Sequence, residues 1–176
     1  MKKVLIAIIA IFTLGAFSSN AQNVSFAHVS SAEVLDSIQS YKDLVKEEQQ
    51  INKEAQQQYE TLQKKLMKMQ PTDAAMDTLT DFELSVISSD MQKIQMDMQN
   101  LEVYTQNQLQ TLQQRLVKLM EMYRDAVKVV AEKHGVTYVL DADSQVLYAA
   151  PAGKDLTDEV RAELLRMDNA NPVHRL

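Results

Sequence analysis

The sequence predicts an α+β protein: a small β-rich oligomerisation body, built from both ends of the chain, interrupted by a long antiparallel α-helical coiled-coil hairpin. Three observations predict it. Between Ser30 and His134 the chain holds one proline, Pro71, and no glycine, so about a hundred residues run without a strong helix breaker. Along that stretch apolar residues recur at steps of three and four. Outside it lie short runs rich in β-branched and aromatic residues, VSFAHV (24–29), VTYVL (136–140) and VLYA (146–149), which read as strands.

Residues 1–21 are set aside as a signal peptide. Lys2 and Lys3 precede the apolar stretch Val4 to Phe17, and Ser19 and Ala21 place small residues at the −3 and −1 positions of a cut after Ala21. The apolar run is short for a membrane span. With no cysteine in the chain there is no lipid-accepting thiol, disulfide scaffold or thiol nucleophile. The signal carries two lysines and no acid, so a formal charge of −6 becomes −8 for residues 22–176. That sign argues against a nucleic-acid backbone as partner. An exported, acidic, soluble chain is expected.

The body takes residues 22–40 and 134–170. Strand 24–29 leads into a short helix, 32–38, opened by a Ser30/Glu33 capping box. The hairpin arm takes residues 41–133. Its first helix places Tyr41, Leu44, Ile51, Ala55, Tyr59, Leu62, Leu66 and Met69 on a seam, and the turn falls between Pro71 and Thr80. Thr80 and Glu83 form a second capping box. The returning helix, roughly 80 to 133, is ~80 Å long at 1.5 Å per residue. Its seam holds Ile87, Met91, Ile94, Met98, Leu101, Leu109, Leu112, Leu116, Leu119, Tyr123, Ala126 and Val130. Between Met98 and Leu109 the polar run TQNQ (105–108) interrupts it, and this 11-residue step predicts a straighter, looser stretch.

His134-Gly135 ends the long helix. Strand 136–140, a turn at 141–144 and strand 146–149 are expected to form a hairpin. Thr157 caps a last helix over 158–167, and the chain from Asp168 is expected to be disordered, with 171–176 a flexible tail. A body this small is marginal alone, and its strands leave open edges; association of several copies covers both. Val24, Phe26, Val136, Tyr138, Leu140, Val146 and Tyr148 are the expected oligomerisation residues.

No catalytic or metal constellation stands out, and neither enzyme nor cofactor is expected. His28, His134 and His174 share no ligand spacing. Asp141-x-Asp143-x-Gln145 starts like a calcium loop but has Val146 and Ala152 where glycine and glutamate belong, so it reads as a turn. Phosphate-binding glycine loops are lacking. What the arms do offer is methionine, an adaptable apolar side chain suited to binding many sequences weakly. Met69, Met91 and Met98 belong to the seam. Met67, Met76, Met96 and Met122 fall off its phase and, with Phe82 and Val86 near the tip, are the candidate client-contact residues.

Three segments, FAHVSSAEVLDS (26–37), HGVTYVLDADSQVLYAA (134–150) and KDLTDEV (154–160), resemble the Skp/OmpH family of periplasmic chaperones. The resemblance covers nearly all of residues 22–176, specifically in the body and only by length and helicity in the arm. It implies a homotrimer whose bodies pool their strands, with three hairpins hanging like tentacles around a cavity. Unfolded outer-membrane proteins are held there without ATP. The alternative is a structural or adaptor coiled coil packing on a fixed envelope partner. One departure stands out. The better-known relatives are basic with positive arm tips. Here residues 70–102 hold Asp73, Asp77, Asp81, Glu83, Asp90, Asp97 and Glu102 against Lys93 alone. Acidic tips argue against contact with an anionic membrane surface.

Overall fold

The computed structural model describes residues 24–72, 78–150 and 152–173. In chain order these form β1 (Phe26–Val29), α1 (Ser31–Ser37), α2 (Gln39–Met69), α3 (Asp81–Lys133), β2 (Tyr138–Asp141) and α4 (Thr157–Ala170). The signal-peptide residues, Met76 and His174 lie outside the described residues.

β1 and β2 pair in parallel, with Phe26 opposite Tyr138 and Val29 opposite Asp141. A parallel pair needs a long crossover, and here the crossover is the whole arm. The free edge of β1 is taken by the segment before α4: His28 N–H donates to Lys154 O and Leu156 N–H to His28 O, both at 2.9 Å. Because side chains alternate along a strand, Ala27 and Val29 turn into the core, while Phe26 and Tyr138 stack on the opposite face with ring centroids 5.4 Å apart.

The expected 136–140/146–149 hairpin does not form. β2 turns its paired edge to β1, and 146–149 is not a strand; Leu147 and Tyr148 stand exposed. Local spacing suggested the nearest strand as partner, whereas the partner is 112 residues upstream. The turn that ends β2 has another task. Asp143 accepts from the Ala32 N–H at 2.7 Å and the Ser30 hydroxyl at 3.1 Å, and Asp141 from the Ser31 hydroxyl at 3.0 Å. Two carboxylates thus satisfy the N-terminus of α1, where the helix dipole favours negative charge.

The Ser30/Glu33 box is half made. Ser30 Oγ accepts from Glu33 N–H, but the Ser30 N–H donates to Thr157 Oγ1 at 3.0 Å. Thr157 is therefore the first residue of α4 rather than its cap; its own N–H and hydroxyl donate to Asp155. The Thr80/Glu83 box is complete and opens α3 as expected. At the far end, Gly135 adopts φ +62°, a left-handed conformation that glycine takes without Cβ strain, and the Val136 N–H reaches back to Ala131 O at 2.9 Å.

The core joins Ala27, Val29, Val34, Leu35 and Ile38 to Leu156, Val160 and Leu164 of the α4 segment and to Leu112, Leu119, Tyr123, Ala126 and Val130 of α3. The last third of α3, read from sequence as arm, is therefore part of the body. The expected disordered tail needs the same correction. α4 continues to Ala170, Asp168 is buried and accepts from the Ser40 hydroxyl at 2.7 Å, and Val173 is buried in the core. Apolar residues at 160, 164 and 173 hold this segment down.

Two carboxylates at these junctions titrate below their ordinary range. Burial alone raises Asp141, but donors from Asp143, Ser31 and Ser144 outweigh it. Asp155 is lowered first by the Thr157 hydroxyl and N–H. Lowered carboxyls contribute stability that is complete above their unfolded value, about 4, and is lost as pH falls through the folded values. Unfolding midpoints in urea should therefore hold from neutral pH down to about 5 and fall below about 4. The Asp141→Asn and Asp155→Asn double variant should show a shallower acid limb; an unchanged limb places the loss elsewhere.

Candidate functional site

α2 and α3 form the arm, pairing antiparallel through the expected seam. Leu44, Ile51, Ile94, Leu112 and Leu119 are buried on it, and Ala55, Leu62, Leu66, Met69, Ile87, Met91, Met98 and Leu101 are half-buried. Tyr59, expected on the seam, stands half exposed beside it. The polar stretch does not break the period: Thr105 and Gln108 are themselves half-buried, so the seam steps 98, 101, 105, 108, 112 without a gap. These polar side chains fill it less well than leucines do. Two open grooves flank Leu101, one of about 580 Å³ lined by Thr61, Leu62, Asp97 and Tyr104, the other of about 570 Å³ lined by Tyr59, Met98 and Thr105.

Where arm meets body, Arg115 Nη1 holds both oxygens of Glu47, at 2.9 and 2.8 Å. Arg115 is mostly buried, and this ion pair ties α2 to α3 just below Leu112. Its Nε is buried without a hydrogen-bond partner among the described residues.

The candidate contact residues divide. Phe82 is 76% exposed, Met96 61%, and Met67 and Val86 are exposed as well. Met122 is not available in the same way; it packs partly buried against the core. Met76 lies outside the described residues. Sequence reasoning missed Val103, Tyr104 and Val117, all exposed on α3. The signal was present in the heptad: with Met91, Met98 and Leu112 at one seam position, residues 82, 96, 103 and 117 all fall on the face opposite the seam.

A second apolar surface lies on the body. Phe26 and Tyr138 are 58% and 54% exposed, Val24 lies half exposed before β1, and Leu147 and Tyr148 are exposed beyond β2. Of the other expected oligomerisation residues, Leu140 and Val146 are half-buried, and Val136 packs partly against the core.

Nothing among the described residues resembles a reaction centre. Among the described residues no group of three or more His, Cys, Asp or Glu could hold a metal ion, and no helix is long and apolar enough to cross a membrane. His134 Nε2 lies 2.8 Å from the Glu159 carboxylate, and His28 Nε2 lies 3.7 Å from Asp155. Both pairs tie α4 and its leading segment to the rest of the body. Burial, then the nearby carboxylates Asp141 and Asp143, pushes the Tyr123 hydroxyl up to about 12.

A mostly helical chain with a long helical hairpin and a small two-stranded sheet is consistent with the family that comparison finds. Residues 25–164 match the model described as outer membrane protein (OmpH-like), and the chain belongs to that family. Its members are periplasmic, and at family level the role is that of a chaperone for outer-membrane proteins. No curated protein matched the chain.

The two methionines offered by sequence should behave differently. Met96→Gln should leave the thermal midpoint unchanged. Met122→Gln should cost about 1 kcal/mol by placing an amide against the core. Equal midpoints for both variants in a melting experiment would contradict the packing described for Met122.

Proposed function

We propose that this protein is an ATP-independent holdase that captures unfolded outer-membrane proteins between the arms of an oligomer and keeps them from aggregating. One observation carries the reading beyond the family. The arm buries its seam yet leaves large apolar side chains, Phe82, Met96, Val103 and Val117, singly on its surface among glutamines and charges. Scattered apolar contacts give weak, sequence-tolerant binding without one patch large enough to drive self-aggregation. Chaperoning here is binding without chemistry, and no catalytic residue is assigned.

The oligomer is proposed as a homotrimer joined through the exposed body face at Phe26, Tyr138, Leu147 and Tyr148. A face with stacked aromatics and an adjoining exposed apolar segment is costly to leave in water. Export through a cleaved signal at residues 1–21 accords with the family's compartment. The acidic stretch of α3 near the tip disfavours docking of the arms on anionic lipid.

Diluting a denatured outer-membrane β-barrel protein without nucleotide tests the function. Light scattering should fall with a few-fold excess of this protein, for several unrelated clients; unchanged aggregation for all of them defeats the reading. Phe26→Asp with Tyr138→Asp should reduce the light-scattering mass of residues 22–176 towards that of one chain. A parental mass in that variant removes this face from the assembly.

A further inference from the structure

α3 carries two adjacent columns, each repeating every seven residues, one on its outer face and the next on the flank beside α2. One holds Phe82, Ser89, Met96 and Val103; the next holds Glu83, Asp90, Asp97 and Tyr104. Seven residues rise ~10.5 Å along a helix, close to the ~10 Å spanned by three residues of extended chain. Phe82, Met96, Val103 and Tyr104 are exposed apolar side chains. Glu83 is held by Thr80 in the capping box, but among the described residues no ion pair involves Asp90 or Asp97. Residues 81–102 hold five acids, Asp81, Glu83, Asp90, Asp97 and Glu102, against Lys93 alone. Lys64, Lys65 and Lys68 lie exposed on α2, and none forms an ion pair with these acids.

Resting on the holdase reading, we infer that this face docks extended client segments that combine apolar with cationic side chains, the apolar groups seated on Met96 and Val103 and the cations beside Asp90 and Asp97. Neither column suffices alone. Isolated exposed carboxylates attract any counterion weakly, and single exposed apolar residues are common on protein surfaces. Their adjacent run lets one extended ligand meet acids at Asp90 and Asp97 and apolar side chains at Met96 and Val103 within two successive repeats. The charge also sets a preference: an anionic segment of equal hydropathy meets repulsion along the same track. A second copy of this chain is the wrong occupant on charge, since residues 22–176 carry −8 once Lys2 and Lys3 are removed from a total of −6.

Fluorescence anisotropy with two synthetic peptides tests this, using the assembled protein of residues 22–176. Both peptides carry the same leucines and phenylalanines; one is interspersed with lysine and the other with glutamate. The lysine peptide should bind about tenfold more tightly at low salt, and that advantage should shrink several-fold between about 50 mM and about 500 mM NaCl. Asp90→Asn with Asp97→Asn should abolish the advantage. Met96→Gln with Val103→Gln should weaken the lysine peptide about tenfold while mass and helicity stay parental. Equal binding of both peptides, or a lysine peptide indifferent to the Asn pair, overturns the inference. A changed oligomeric mass in the Gln pair also overturns it, because the face then lies between copies. The holdase reading fails by a different result, unchanged aggregation of denatured barrels, so aggregation suppressed without charge preference sinks this inference alone.

Discussion

The architecture depends on four residues of β1 lying parallel to four residues of β2. Two strands that run the same way cannot be joined by a tight turn, so a long crossover must carry the chain back to the start of the second strand. Here the excursion is α1, α2 and α3. The pairing also settles which side chains face out. Ala27 and Val29 fall to the core, and Phe26 and Tyr138 are left stacked on the open face. The parallel pairing leaves room for an inserted arm, and its register exposes the apolar face. The β2 turn adds to it by placing Asp141 and Asp143 on the start of α1, so the N-terminal part of the body is completed by carboxylates from the C-terminal part.

The arm shows how far a two-helix element can be stable while holding little in reserve. Two helices bury one seam between them, and along the middle of the arm that seam contains Thr105 and Gln108. Packing becomes dense only near the body, where α4 and β2 join α3 around Leu119, Tyr123 and Ala126. Stability is therefore graded along α3, from a body end held on several sides to a distal end held by α2 alone. Local opening is easiest where neighbours are fewest. The surface used for weak, varied contacts lies on the less supported part of the helix.

Much of this was legible in the chain. The absence of breakers and the three-four spacing gave both long helices, and Thr80 with Glu83 located the start of α3. Gly135 marked the end of α3 because a left-handed residue was needed there. The strand pairing was not legible, because hydrophobic alternation says that a segment is a strand but not which strand it meets. Thr157 was misread as a cap because its hydroxyl is engaged by the distant Ser30 N–H, a contact that exists only after folding. Met122 was misread for a related reason. Its phase is wrong for the α2 seam, but near the body α3 packs against further elements, and a residue off one seam is on another. The exposed column at 82, 96, 103 and 117 was present in the heptad, yet it is polar at positions 89 and 110 and gives only a weak average signal.

The distance in sequence between β1 and β2 bears on how the protein comes into being. Phe26 pairs with Tyr138 across 112 residues, so the first strand to emerge has no partner until nearly the whole polypeptide has been delivered. Contacts of that separation form late, whereas helical turns form from neighbours. A chain supplied from its N-terminus therefore builds α2 and α3 first and completes its body last, with Ala27 and Val29 unburied in the meantime. For that interval the newly made molecule is itself an aggregation-prone β segment, in the same predicament as the polypeptides its family looks after.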